Sequence, residues 1–266
     1  MHYISVDIEG MSGFRSGAER ERNDRIMREH IRAAAGGLGE GGESDVLVKS
    51  FHGIPEGLPE HVRAVLERPP GEFDLPGLRG PPGLGAGCGG LVMLGFHGLG
   101  PEFAHGHAYR WPNLLLNGER CGEIAVQIIL AATRGVPTVL LAGDAGAVTE
   151  ARRYAPAALT VRTRPGRDAD EGDMDEAVLD EIREAAAEAA ARSGGTGLSE
   201  LPPVFHLEAP MASALAADVA EELPCPVTRR GNTIGRESTD FADVYRFLLD
   251  LFGVCNEIAK RERAGD

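Results

Sequence analysis

The sequence predicts an α/β protein, a three-layer α/β/α fold around a mainly parallel sheet with a smaller C-terminal α/β lobe. Three observations predict it. Short apolar runs at 3–9, 45–51, 90–96 and 136–142 alternate with stretches of helical periodicity, the order that βαβ crossovers require. The run Gly90–Phe96 is almost continuously apolar, as in a strand buried on both faces. The 266 residues, 42% of them hydrophobic, suffice for a substantial core.

Each element has its own signal. Ile4, Val6 and Ile8 alternate with Ser5, Asp7 and Glu9, the period of a strand, until Gly10, Ser12 and Gly13 break it. Residues 17–35 form a helix with Ile26, His30, Ile31 and Ala34 on one face, ended by the glycine cluster at 36–42. Asp45–Phe51 is a second strand running out at His52, and Pro59–Arg68 a short helix. Residues 69–90 are rich in Gly and Pro and read as a loop. The strand 90–96 ends at His97, and an irregular stretch with His105 and His107 follows. Leu114–Cys121 is a hairpin around a type I′ Asn117-Gly118 turn. A helix then opens at Gly122-Glu123 and runs to Thr133.

Val136–Ala142 is a strand ending at Gly143-Asp144, followed by a helix at 147–154 and a strand at 159–163. Residues 175–192 read as a solvated helix, and 193–197 as a linker before Pro202-Pro203. The expected division is therefore 1–198, the larger α/β domain, and 199–266, the smaller lobe. That lobe is read as a strand (204–208), a helix (211–222), a strand (227–234) and a long terminal helix capped by Ser238 or Thr239.

The net charge of −14 argues against nucleic acid and anionic membranes as partners. Cys88, Cys121, Cys225 and Cys255 are scattered without metal-finger spacing, which suits a reducing, cytoplasmic setting. No leader-like or membrane-length apolar run is present, and no G-x-G-x-x-G or P-loop follows a strand, so dehydrogenase and kinase readings are weak.

Three successive strands finish on metal-type side chains: Asp7 with Glu9, then His52, then His97. Ligands of open parallel sheets bind beyond the carboxyl ends of the strands, so these residues converge on one rim, and Glu123 completes the set. A lone Asp-x-Glu at a strand end is usually solvated, and a lone His after a strand is usually structural. Their coincidence at three strand ends points to a divalent cation. Three carboxylates and two imidazoles exceed what one catalytic zinc takes and fit a centre of two ions with a bridging carboxylate.

Ser5–Gly13 with the strand leading to His52, Leu94–His97, His105, Asn117–Glu123 and Val136–Asp144 together resemble the D-aminopeptidase family of binuclear zinc peptidases. The resemblance is specific over residues 3–145. It implies that Asp7, Glu9, His52, His97 and Glu123 bind two zinc ions per subunit, with Asp7 as the bridge, and that His105 is catalytic. It also implies homo-oligomers, pentameric rings stacking into decamers. The expected activity is hydrolysis of the N-terminal peptide or amide bond of short, D-amino-acid-containing peptides by an activated water, with His105 as general acid/base. Ser50 stands where the family is commonly acidic, and segments 76–90, 98–104 and 166–173 depart from its pattern. Those departures keep two alternatives in view, an amidase for another small conjugate and a non-catalytic ring-forming homologue. Asp144 is expected either to orient a ligand histidine or to cap a helix, and Cys121 to be a buried small residue.

Overall fold

The computed structural model describes residues 1–15, 20–50, 52–65, 84–85, 87–99, 114–164, 173–192, 201–211, 217–218, 220–221, 223 and 225–264. In chain order the principal elements are β1 (His2–Val6), α1 (Arg20–Glu40), β2 (Val46–Ser50), β3 (Val62–Val65), β4 (Gly90–Phe96), β5 (Leu115–Leu116) and β6 (Glu119–Arg120). Then come α2 (Glu123–Ala132), β7 (Thr138–Asp144), α3 (Ala145–Tyr154), β8 (Leu159–Arg164), α4 (Glu176–Arg192), β9 (Phe205–Pro210), β10 (Thr228–Arg230), β11 (Thr233–Ser238) and a terminal helix α5 (Phe241–Ala264).

The main sheet has the order β3-β2-β1-β4-β7-β8, and every pairing in it is parallel. Successive side chains of a strand leave on opposite faces. Ile4, Val6, Val46, Val48, Val92 and Leu94 therefore pack under α1 and α4, while Tyr3, Leu47, Leu91 and Met93 pack under α2 and α3. This is the expected three-layer arrangement, and it delivers the ends of β1, β2 and β4 to one rim.

A second, antiparallel sheet has the order β10-β11-β9-β5-β6. Its core joins Leu116, Phe205, Leu207 and Ile234 to α5 and to the far side of α2. Phe205 and Phe241 meet edge to face, with ring centroids 4.9 Å apart. Every residue of α2 after Glu123 is buried, because Ile124 and Ile128 face one core and Val126 and Ile129 the other. Among the described residues no helix is long and apolar enough to cross a membrane.

Five readings of the sequence need correction. Helix α1 does not stop at Ala35 but continues through Gly36–Gly39 to Glu40, held by packing on α4. The region read as a helix from Pro59 instead supplies β3, an edge strand that adds Val62 and Ala64 beside Val46 and Val48 of β2. Helix α4 is solvated on one side only, since Ile182, Ala186, Ala189 and Ala190 are buried. The single strand read at 227–234 is a hairpin, β10 and β11, turning at Gly231-Asn232. The start of α5 is capped by Asp240, whose Oδ1 accepts from Ala242 N–H at 2.9 Å. The 193–197 linker and most of the helix expected at 211–222 lie outside the described residues.

Candidate metal centre

Strand β1 ends at Val6, so Asp7 and Glu9 stand in the turn beyond it rather than side by side on the strand. That turn lies directly on β4. Asp7 N–H donates to Leu94 O at 2.9 Å and Gly10 N–H to Gly95 O at 2.8 Å. The approach is so close that a Cβ on Gly10 would lie 1.9 Å from Phe96 O, which only glycine avoids. At the same place the β4–β7 register shifts, between Leu94 and Phe96. From the other side, Arg164 Nη1 donates to Glu9 O at 3.2 Å and the Thr163 hydroxyl donates to Gly10 O.

The acidic residues are buried, Asp7 to 3% and Glu9 to 8% exposure. His52 follows β2 and brings Nε2 to 3.0 Å from Asp7 Oδ1 and 3.2 Å from Glu9 Oε2. Its backbone is set by Ser50, whose hydroxyl accepts from His52 N–H at 3.1 Å. His97, one residue past β4, places Nε2 3.7 Å from Asp7 Oδ2. Its Nδ1 lies 2.9 Å from Gly98 O, which assigns the N–H to Nδ1 and leaves Nε2 as the donor atom available to a cation. Glu123 is the first residue of α2 and, like His52, is exposed.

These side chains form two groups in which one ligand atom from each residue lies within 4.8 Å of the others: Asp7, Glu9 and His52, and Asp7, His97 and Glu123. Asp7 belongs to both, with Oδ1 toward His52 and Oδ2 toward His97. Burial pushes the Asp7 carboxyl up to about 7, against the lowering effect of His52. Hydrogen bonds to Asp7 and Glu9 raise His52 to about 10. The direction common to both is that the buried acids favour a positive charge among them. Asp7 Oδ2 accepts no hydrogen bond among the described residues. An all-oxygen-and-nitrogen donor set with a shared carboxylate fits divalent cations of the hard-to-borderline kind.

All five metal-type residues singled out in the sequence thus meet at one rim. His105 and His107 lie outside the described residues. The helix cap expected of Asp144 is present, because its Oδ1 accepts Ala147 N–H at 2.8 Å, and the same oxygen accepts Gly98 N–H at 2.9 Å, on the backbone next to His97 rather than on its ring. Cys121 is fully buried and burial pushes its thiol up to about 12, so it is no nucleophile. The sequence reading passed over three supporting residues. Ser5 donates its hydroxyl to Gln127 Oε1 at 2.6 Å, tying β1 to α2, and Glu150 accepts from the start of α2. No local pattern marks them, since their partners are 122 and 28 residues away.

Across 95% of this chain and 96% of its own, the Zn-dependent D-aminopeptidase DppA from Bacillus subtilis, a self-compartmentalizing protease, shares the fold with a TM-score of 0.77 at 20% identity. No curated protein sequence matches the chain. A family profile described as D-aminopeptidase matches residues 1–249, a span that includes both acidic–histidine groups and the second sheet. The chain belongs to the D-aminopeptidase family of peptidases and is an aminopeptidase.

Proposed function

We propose that this aminopeptidase is zinc-dependent, holds a pair of zinc ions on Asp7, Glu9, His52, His97 and Glu123, and releases the N-terminal residue of short peptides carrying D-amino acids. The observation that carries the reading is the sharing of Asp7 between two three-residue groups. One carboxylate offering an oxygen to each side is what a two-ion site requires, and zinc is the dependence named for the structural relative. When bound, such ions polarise the scissile carbonyl and activate a water.

The chain's own residues do the rest. Asp7 and Glu9, buried acids that favour a positive charge beside them, suit a substrate with a free amine. His97, fixed by Gly98 O, presents its Nε2, and His52 closes the group from β2. His105 moves protons as general acid/base, the role its position in the family pattern implies. Homo-oligomeric rings, in the manner of a self-compartmentalizing relative, and a cytoplasmic location complete the proposal. Cys121 and Cys225, in no disulfide among the described residues, accord with that compartment.

Metal analysis of the purified chain beside Asp7→Ala tests the reading. About two zinc equivalents are expected in the wild type, with both falling sharply in the variant because both groups lose a member. Equal metal content in the two proteins would leave the site without support. In the same preparation, His105→Ala is expected to keep its zinc and lose about 100-fold or more in turnover of a D-alanyl amide.

A further inference from the structure

Helix α2 starts without a cap of its own, because Gly122 has no side chain to offer. Its first amides are met from another helix. Glu150 of α3 directs Oε1 to Gly122 N–H at 2.7 Å and to Ala125 N–H at 3.2 Å. These are the two donors that a capping box satisfies with two side chains, and here one carboxylate takes both. Glu150 is 8% exposed, so water does not compete for the bonds. Glu123 lies between the two tethered amides, so its backbone is held on both sides.

The same helix reaches the opposite member of the group. Asp144, at the start of α3, accepts Gly98 N–H at 2.9 Å, next to His97. One rigid helix therefore grips the chain beside His97 at one end and beside Glu123 six residues further on. Both belong to the group Asp7, His97 and Glu123. A Ser at position 122 would cap the Ala125 amide without burying a carboxylate, but would leave its own amide unmet and would not link α2 to α3.

We propose that Glu150 is a positioning residue that acts through Glu123, and that α3 is the strut fixing the spacing of His97 and Glu123. The proposal rests on the metal reading of the site. Its signature is selectivity: weakening Glu150 loosens the ion of the Asp7, His97 and Glu123 group and spares the ion on Asp7, Glu9 and His52.

Zinc titration of the full chain against a chromophoric chelator, with Glu150→Asp, Glu150→Gln and Glu123→Ala, tests it. Glu150→Asp keeps the charge but falls a methylene short. It is expected to weaken one equivalent by about 10- to 100-fold and leave the other near wild type. Glu150→Gln keeps an oxygen within reach of both amides and is expected to weaken that equivalent less than Asp does. In the Glu123→Ala background, Glu150→Asp is expected to add nothing. Equal weakening of both equivalents, a larger loss in Gln than in Asp, or a loss that persists without Glu123 would overturn the proposal. Wild-type chain that takes up no zinc would overturn the metal reading itself. Zinc-replete wild type beside an unchanged Glu150→Asp overturns only the strut. Should Glu150→Asp not fold, Gly122→Ala carries the test, since its Cβ would meet Glu150 Oε2 at 2.8 Å and displace the carboxylate. Selective loss of the same equivalent supports the strut, and unaltered binding sinks it.

Discussion

His30 sits fully buried in α1 with Nδ1 2.9 Å from Ile26 O, while Nε2 has no hydrogen-bond partner among the described residues. Burial lowers its pKa to about 4, so the folded chain holds the ring neutral. The unfolded chain binds a proton there below about 6.5. Between those two values the unfolded state carries more protons, and stability must fall as the pH falls. The slope from this residue is about 1.4 kcal/mol per pH unit, vanishing below its folded pKa. Denaturant unfolding at pH 7 and pH 5 reads it: the wild type is expected to lose about 2 kcal/mol more than His30→Gln over that interval. Parallel losses in both proteins would show that the folded ring is already free to protonate. Residues of this kind were legible only in part. The helical face carrying Ile26, His30 and Ile31 could be seen in the sequence, but whether the imidazole meets water or a carbonyl is decided by packing.

Helix α1 is where local preference and tertiary packing disagree. Gly36, Gly37 and Gly39 look like a terminator, and glycine inside a helix costs roughly 1 kcal/mol relative to alanine. The helix nevertheless runs through them because α4 lies against it. A Cβ on Gly37 would stand 2.0 Å from Arg183 O, whereas nothing lies within 4 Å of one on Gly36 or Gly39. Two adjacent substitutions should therefore differ in sign. Gly36→Ala is expected to stabilise by up to about 1 kcal/mol, and Gly37→Ala to destabilise by about 1–3 kcal/mol as α4 is forced away. Thermal melts of the two variants decide it, and a gain in both would mean that the α1–α4 contact yields easily. The misreading of β3 shares this origin. The segment giving β3 has too few alternating positions to register as a strand, and its pairing with β2 lies outside its own sequence. The turn at Gly231-Asn232 is different, a local Gly-Asn hairpin signal that reading one strand across 227–234 passes over. By contrast Asn117-Gly118 forms its hairpin as expected, with positive φ of 52° and 83° at the two turn residues.

At the scale of the molecule, the candidate site was legible because four of its five residues, Asp7, Glu9, His52 and His97, follow strand ends, and strand ends are what an apolar run followed by glycine reveals. The frame that holds them was not, because it is made by contacts between distant segments. Strand β9, from beyond residue 200, pairs with β5, and the core of α2 is completed by Leu207, Phe247 and Leu248. Helix α2 begins with Glu123, so the second sheet and α5 support one side of the metal centre directly. We propose on this ground that segments 1–198 and 199–266 unfold together. Calorimetry with and without a chelator tests the coupling. Each zinc at about a thousand times its dissociation constant adds about 4 kcal/mol to the folded state, so a pair adds about 8 kcal/mol and, for a chain of this size, shifts the midpoint by roughly 20 °C. If the lobes are one cooperative unit, a single endotherm moves by that amount as a whole. If instead the trace resolves into two transitions and only one responds to zinc, the smaller lobe is independent of the centre. In that case the support argued for α2 must come from the parallel sheet and α3 alone.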